Sequence, residues 1–187
     1  MSAFSELRVI GIASALGVGA VQFCGAPAVA EGAREPGVRI VRVAGDGVDL
    51  VNGAIIHSKA KTPTGTIQKS TGSVELNGDL HGRVLFQTTS IFDSAKNTLV
   101  NTGDQVYSGT IAGSEPAMIH DSQFRFEVNL TTGADSGSVH LVDHIAGPRV
   151  RCTLRVVGTG KNGDGNPTFN YTGECRFAAR APAVPVS

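Results

Sequence analysis

A carboxylate on an apolar face is the feature of this chain most able to do chemistry, and Asp143 is the first candidate. Between 124 and 145 two alternating runs read as a hairpin. Phe124, Phe126, Val128 and Leu130 interleave with Arg125, Glu127 and Asn129, and residues 132–137 lead into the second run. Centring the connection near Ala134 and Asp135 sets Leu130 against Val139, Val128 against Leu141 and Phe126 against Asp143. Asp143 then shares the inward face. An ionised carboxylate among phenylalanines is costly unless paired or hydrogen-bonded. In a ligand-binding barrel it is a polar anchor or a general acid or base. If the strand stops earlier, Asp143 sits at the rim in solvent or caps the turn before Gly147-Pro148.

Tyr107 and Tyr171 are the only tyrosines. On an inward face a tyrosine hydroxyl needs a partner or a cavity, so each is a structural hydroxyl or a polar group offered to a ligand. The five histidines, His57, His81, His120, His140 and His144, raise the question of a metal. On a strand His140 and His144 lie ~13 Å apart at ~3.3 Å per residue, too far for one ion. No His-x-His pair occurs, and no metal is expected. No Gly-x-Ser-x-Gly elbow or phosphate-binding Gly-x-x-x-x-Gly-Lys-Ser/Thr is present, and Gly158-Thr159-Gly160 falls within a hairpin without the helix that phosphate binding uses. Asn129-Leu130-Thr131 and Asn170-Tyr171-Thr172 match the glycosylation sequon within predicted strands.

The elements that must position these groups start after residue 30. Residues 1–30 have a short start carrying Arg8, an uncharged apolar run from Val9 to Phe23 and a small-x-small Ala28-Val29-Ala30, the layout of a secretory signal peptide. The run falls short of the ~20 residues a spanning helix needs. Its removal takes Cys24 with it and leaves Cys152 and Cys175, which in an exported chain are expected to pair. Residues 31–187 are expected to form one domain with loose ends at 31–37 and 180–187. Basic and acidic residues number 16 each, without a Lys/Arg cluster, which argues against nucleic acid or an anionic membrane surface as the main partner.

Glycine is abundant at 24 residues, and short alternating runs of Val, Ile, Thr and Phe are separated by Gly, Asn and Asp. The fold class expected is all-β, an antiparallel barrel of about eight strands. The runs place strands near 38–44, 48–58, 65–76, 82–91, 98–111, 123–131, 138–145, 149–159 and 167–178. The C-terminal pair can be registered. Asn162-Gly163-Asp164-Gly165 is a strong turn signal. Centred between Gly163 and Asp164, it sets Cys152 against Cys175, Leu154 against Gly173 and Val156 against Tyr171. Turn and cysteines, chosen independently, agree. Directly opposed strand residues lie ~4.5–5.5 Å apart at Cβ, within reach of a disulfide after adjustment.

The segments Gly78-Asp79-Leu80-His81-Gly82, Thr102-Gly103-Asp104-Gln105-Val106-Tyr107-Ser108-Gly109-Thr110, and Val157-Gly158-Thr159-Gly160 through Tyr171-Thr172-Gly173 resemble bacterial secreted members of the allene oxide cyclase/dirigent-like barrel superfamily. The resemblance covers most of residues 65–178 and rests on Gly- and Thr-rich turns. It implies an eight-stranded antiparallel barrel with an apolar lumen, used in plant members to guide cyclisation or radical coupling of small hydrophobic molecules. The catalytic motifs of those enzymes do not recur here. Lipocalins and avidins fit less well, because both rely on tryptophan and this chain has none.

The function expected is a secreted, extracellular or periplasmic barrel holding a small hydrophobic molecule, without a cofactor. Phe124, Phe126, Val128, Leu141, Leu154 and Tyr107 are expected to line the site. The alternatives are an isomerase or cyclase, with Asp143 and Tyr171 as catalytic groups, and a structural or interaction protein with a filled barrel, acting through edge-strand or homo-oligomer contacts.

Overall fold

A computed structural model describes residues 37–179. The expected signal peptide at 1–30 lies outside them, as do 31–36 and 180–187. The strands are β1 (Arg39–Asp49), β2 (Ile55–Thr62), β3 (Gly65–Gly78), β4 (Leu80–Asp93), β5 (Thr98–Ile111), β6 (Ala117–Asn129), β7 (Asp135–Leu141), β8 (Asp143–Ala146), β9 (Val150–Lys161) and β10 (Pro167–Phe177). A single 3₁₀ turn, Val51–Gly53, is the one helical element among the described residues.

All pairings are antiparallel. The order runs β1-β10-β9-β7-β6-β5-β4-β3, and β1 pairs back onto β3 to close the barrel. β8 continues the line of β7 along β6, and β2 continues that of β1 along β3. Ten strands thus form a closed eight-stranded barrel with two extra strands. Closure removes the edges of the eight-stranded barrel, while β2 and β8 each pair on one side only.

Alternation drives the segregation of inside from outside. On β9, Val150, Cys152, Leu154 and Val156 are buried while Arg151, Thr153 and Arg155 are exposed. The C-terminal hairpin has the expected register: Cys152 faces and bonds Cys175, Leu154 faces Gly173, and Val156 faces Tyr171. Its turn is closed by the Asn162 side chain, whose Oδ1 accepts the Asp164 and Asn166 N–H groups, both at 3.0 Å.

Two expectations need correction. Residues 45–47 do not separate strands near 38–44 and 48–58, because β1 runs through Gly45-Asp46-Gly47 and breaks instead at 50–54. Those glycines are strand positions that leave room for rings on β10. The hairpin of β6 and β7 also has a different register. Val128 faces Asp135 and Phe126 faces Gly137, which centres the turn between Thr131 and Thr132. Asn129 sets it early: its Oδ1 accepts the N–H groups of Thr131 and Thr132 at 2.9 and 3.0 Å.

The interior is packed unevenly. Leu80, Tyr107, Ile111, Ile119, Leu141, Val150 and the disulfide are almost wholly buried. They plug the end where β4, β6 and β9 begin and β5, β7 and β10 finish. Arg39 stacks over the Phe177 ring there at 4.2 Å. Toward the other end the side chains thin out.

Candidate functional site

The thinning leaves a cavity of about 380 Å³. Its inner floor is Leu76, Val84, Leu141 and Leu154, and its rim is Asp49, Val51, Ile56, Asp135 and Pro167. Val51 and Ile56 are among the exposed large hydrophobics, so the rim reaches the surface. The volume falls in the ~300–1,000 Å³ range of small-molecule sites.

Aromatic rings form the apolar wall, and glycines position them. Phe86 faces Gly72, Phe126 faces Gly137, Phe169 faces Gly47 and Tyr171 faces Gly45 across neighbouring strands. Each ring lies against its glycine so closely that a Cβ there would come within 3.0 Å of it. The rings are thereby drawn back onto the barrel wall, and the lumen stays open. Phe124 completes the wall, edge-on to Phe86 with centroids 6.3 Å apart and tilted against Phe126 at 5.9 Å.

Polar side chains lie beside these rings, with Thr88 and Ser90 following Phe86 along β4 and Asn101 facing Phe126 across β5 and β6. Gln68, Ser90 and Asn101 stand in one cross-strand row on β3, β4 and β5, and Ser70 and Thr88 form the next. Asn101 Oδ1 is buried without a hydrogen-bond partner. Deeper in, Gln105 Nε2 donates to Asp121 Oδ2 at 3.0 Å. That buried carboxylate also accepts the N–H groups of His140 at 2.8 Å and Gln123 at 2.8 Å. Asp121 therefore ties the irregular pairing of β5 and β6, where register shifts between Gly103 and Gln105, to β7.

Among the described residues, Asp49 and Asp135 are the only charged ones lining the cavity. Burial pushes the Asp49 carboxyl up to about 6. Burial also raises that of Asp135, partly offset by the Gly158 N–H that it accepts. Gly158 leaves the space that the Asp135 carboxylate occupies, since a Cβ there would overlap it.

The expected ligand-binding residues Phe124, Phe126, Val128, Leu141 and Leu154 all line this cavity. Tyr107 does not. It belongs to the plug, with its hydroxyl donating to the Thr110 carbonyl at 2.6 Å and its acidity suppressed by burial. Tyr171 does line the cavity, but its hydroxyl is engaged. It accepts the Leu80 N–H at 2.7 Å and donates to the Asn77 carbonyl at 2.9 Å. Burial first, then the charges of Asp79 and Asp46, raise its pKa, against the opposing effect of the Leu80 N–H.

Asp143 is not on the inward face. The true register pairs it with His120, and the chain breaks strand at Val142 just before it. Its side chain is 62% exposed, with Oδ2 3.5 Å from His120 Nδ1. Asp104 approaches the other nitrogen of that ring at 3.4 Å. Among the described residues no group of three or more His, Cys, Asp or Glu is placed to hold a metal ion.

The sequence reading passed over Asp49, Asp135 and the Gln68–Ser90–Asn101 row. Asp49 had a signal: Val41, Val43, Gly45, Gly47 and Asp49 are one period-two stripe. Strand ranges of 38–44 and 48–58 interrupted it at Gly45-Asp46-Gly47.

Among the described residues no helix is long and apolar enough to cross a membrane. No protein-family model, curated protein or solved structure matches the chain.

Proposed function

We propose that this protein is an exported carrier that holds a small, largely apolar molecule in its lumen. One observation supports this above the others: a cavity of about 380 Å³, walled by phenylalanines and plugged at one end. A barrel of about eight strands either fills itself or keeps room for one ligand, and here glycines opposite the rings keep the room. Export accords with the signal-like first 30 residues and with the Cys152–Cys175 bond. On β9 the outward residues Arg151, Thr153 and Arg155 are polar and exposed.

The resemblance to allene oxide cyclase and dirigent-like barrels supports the same lumen, but a cyclase would need other groups than those first considered. Asp143 faces solvent, and the Tyr171 hydroxyl is committed to backbone partners.

Native mass spectrometry of the protein from its own source, followed by titration with the apolar fluorophore N-phenyl-1-naphthylamine, tests this reading. The expected result is a retained small molecule, or fluorophore binding that saturates at one per chain. A ligand-free mass together with no fluorophore binding would refute it.

A further inference from the structure

The charges along the lumen narrow the class of ligand, an inference that rests on the carrier reading above. Among the described residues no Lys, Arg or His lines the cavity, while Asp49 and Asp135 both do. They stand at the rim on β1 and β7, with β10 and β9 between them in the wall. Besides them, phenylalanines and neutral hydrogen-bonding side chains line the lumen, with Asn101 next to Phe126. The Asp135 carboxylate lies against Gly158, in the space that a Cβ there would take.

We propose that the lumen selects a cationic amphiphile, with its apolar body among Phe86, Phe124, Phe126 and Phe169 and a protonated amine at the rim facing Asp49 and Asp135. Neither carboxylate has a cationic side chain beside it within the lining. An incoming ammonium group supplies the missing countercharge to groups that have already lost much of their hydration. The same carboxylates repel a fatty acid, whose head would meet like charge in a partly desolvated mouth. An alcohol of equal length satisfies the apolar wall and gains nothing from the charges. The buried Asn101 Oδ1, which has no partner, adds an acceptor facing the same donor-rich class of ligand.

The test displaces N-phenyl-1-naphthylamine from the full chain with decylamine, 1-decanol and decanoate at neutral pH and low salt. Decylamine is expected to bind at least tenfold more tightly than decanol, and decanoate more weakly than either. In the Asp49→Asn/Asp135→Asn double variant the amine-to-alcohol ratio is expected to fall toward one. Circular dichroism of that variant checks that the barrel has formed, and if it has not, the single Asp135→Asn variant must show a reduced ratio. Equal binding of amine and alcohol by the wild type, or an unchanged ratio in the folded variants, overturns the charge selection and leaves the carrier reading intact. No binding of the fluorophore or of any probe overturns both.

Discussion

The Tyr171 hydroxyl accepts the N–H of Leu80, 91 positions earlier in the chain, at 2.7 Å. The same hydroxyl donates to the Asn77 carbonyl at 2.9 Å, so one side chain of β10 clasps the tight connection from β3 to β4. That connection turns at Gly78, whose φ of 95° suits glycine. The clasp lies beside the β1–β3 pairing that closes the barrel, where Gly45 faces Gly78. A residue first considered for proton transfer is thus a structural tie.

Tyr171→Phe removes this tie and leaves two backbone groups without their partner. A loss of about 1–3 kcal/mol in unfolding free energy is expected. Urea unfolding measures it, and an unchanged midpoint would show the clasp to be idle.

Asp121→Ala should cost at least as much, about 2–4 kcal/mol, because three donors on β5, β6 and β7 lose one buried acceptor. Hydrogen exchange adds a local readout. The amides of Gln123 and His140 should lose protection ahead of those on β9 and β10. Uniform loss across the barrel would contradict the local role.

Gly72→Ala tests how the lumen is kept open. The three atoms nearest the new methyl all belong to the Phe86 ring, the closest at 2.5 Å. The ring must swing off the wall into the cavity. Overpacking of this kind costs about 1–3 kcal/mol. Affinity for N-phenyl-1-naphthylamine is expected to fall several-fold as the space shrinks. Full affinity in a variant with normal thermal stability would mean the ring does not border the ligand.

Asp49 gives a stability term with a definite sign. Its carboxyl ionises at about 6 in the folded chain against 3.8 when free. A group whose folded pKa is raised favours the fold while protonated, and that contribution is lost as pH rises from about 4 through about 6. Asp49→Asn should therefore be more stable than wild type at pH 7, by about 2 kcal/mol after allowance for partial solvent screening. The difference should vanish below about pH 4. Urea midpoints of both proteins at the two pH values check it, and a wild type more stable than the variant at pH 7 would reverse the sign.

Period-two alternation and turn chemistry made much of the fold legible in the sequence. The 150–177 hairpin could be registered to the residue because two independent signals met there: the Asn162-Gly163 turn and two cysteines required to face each other. The 124–145 hairpin had only its turn, and Asn129 closed that turn earlier than the Gly-rich stretch suggested. The inward parity of Phe124, Phe126, Val128 and Leu141 survived the change because the sum of paired positions is odd in both registers. Asp143 did not survive it, since the break at Val142 let it turn outward.

What the sequence determined by itself is which residues share a face, because that follows from the geometry of one extended strand and needs no knowledge of its neighbours. How far the lumen is filled was decided only by the closed barrel. Glycines at 45, 47, 72 and 137 read as turns or weak strand positions in one dimension. Across the sheet each is the seat of a ring, and that pairing of residues distant in the chain separates a packed plug from an open cavity. The same closure set Asp49 and Asp135 on one rim. Ionisable groups take their environment from whichever strands come to lie around them, and local sequence does not contain that information.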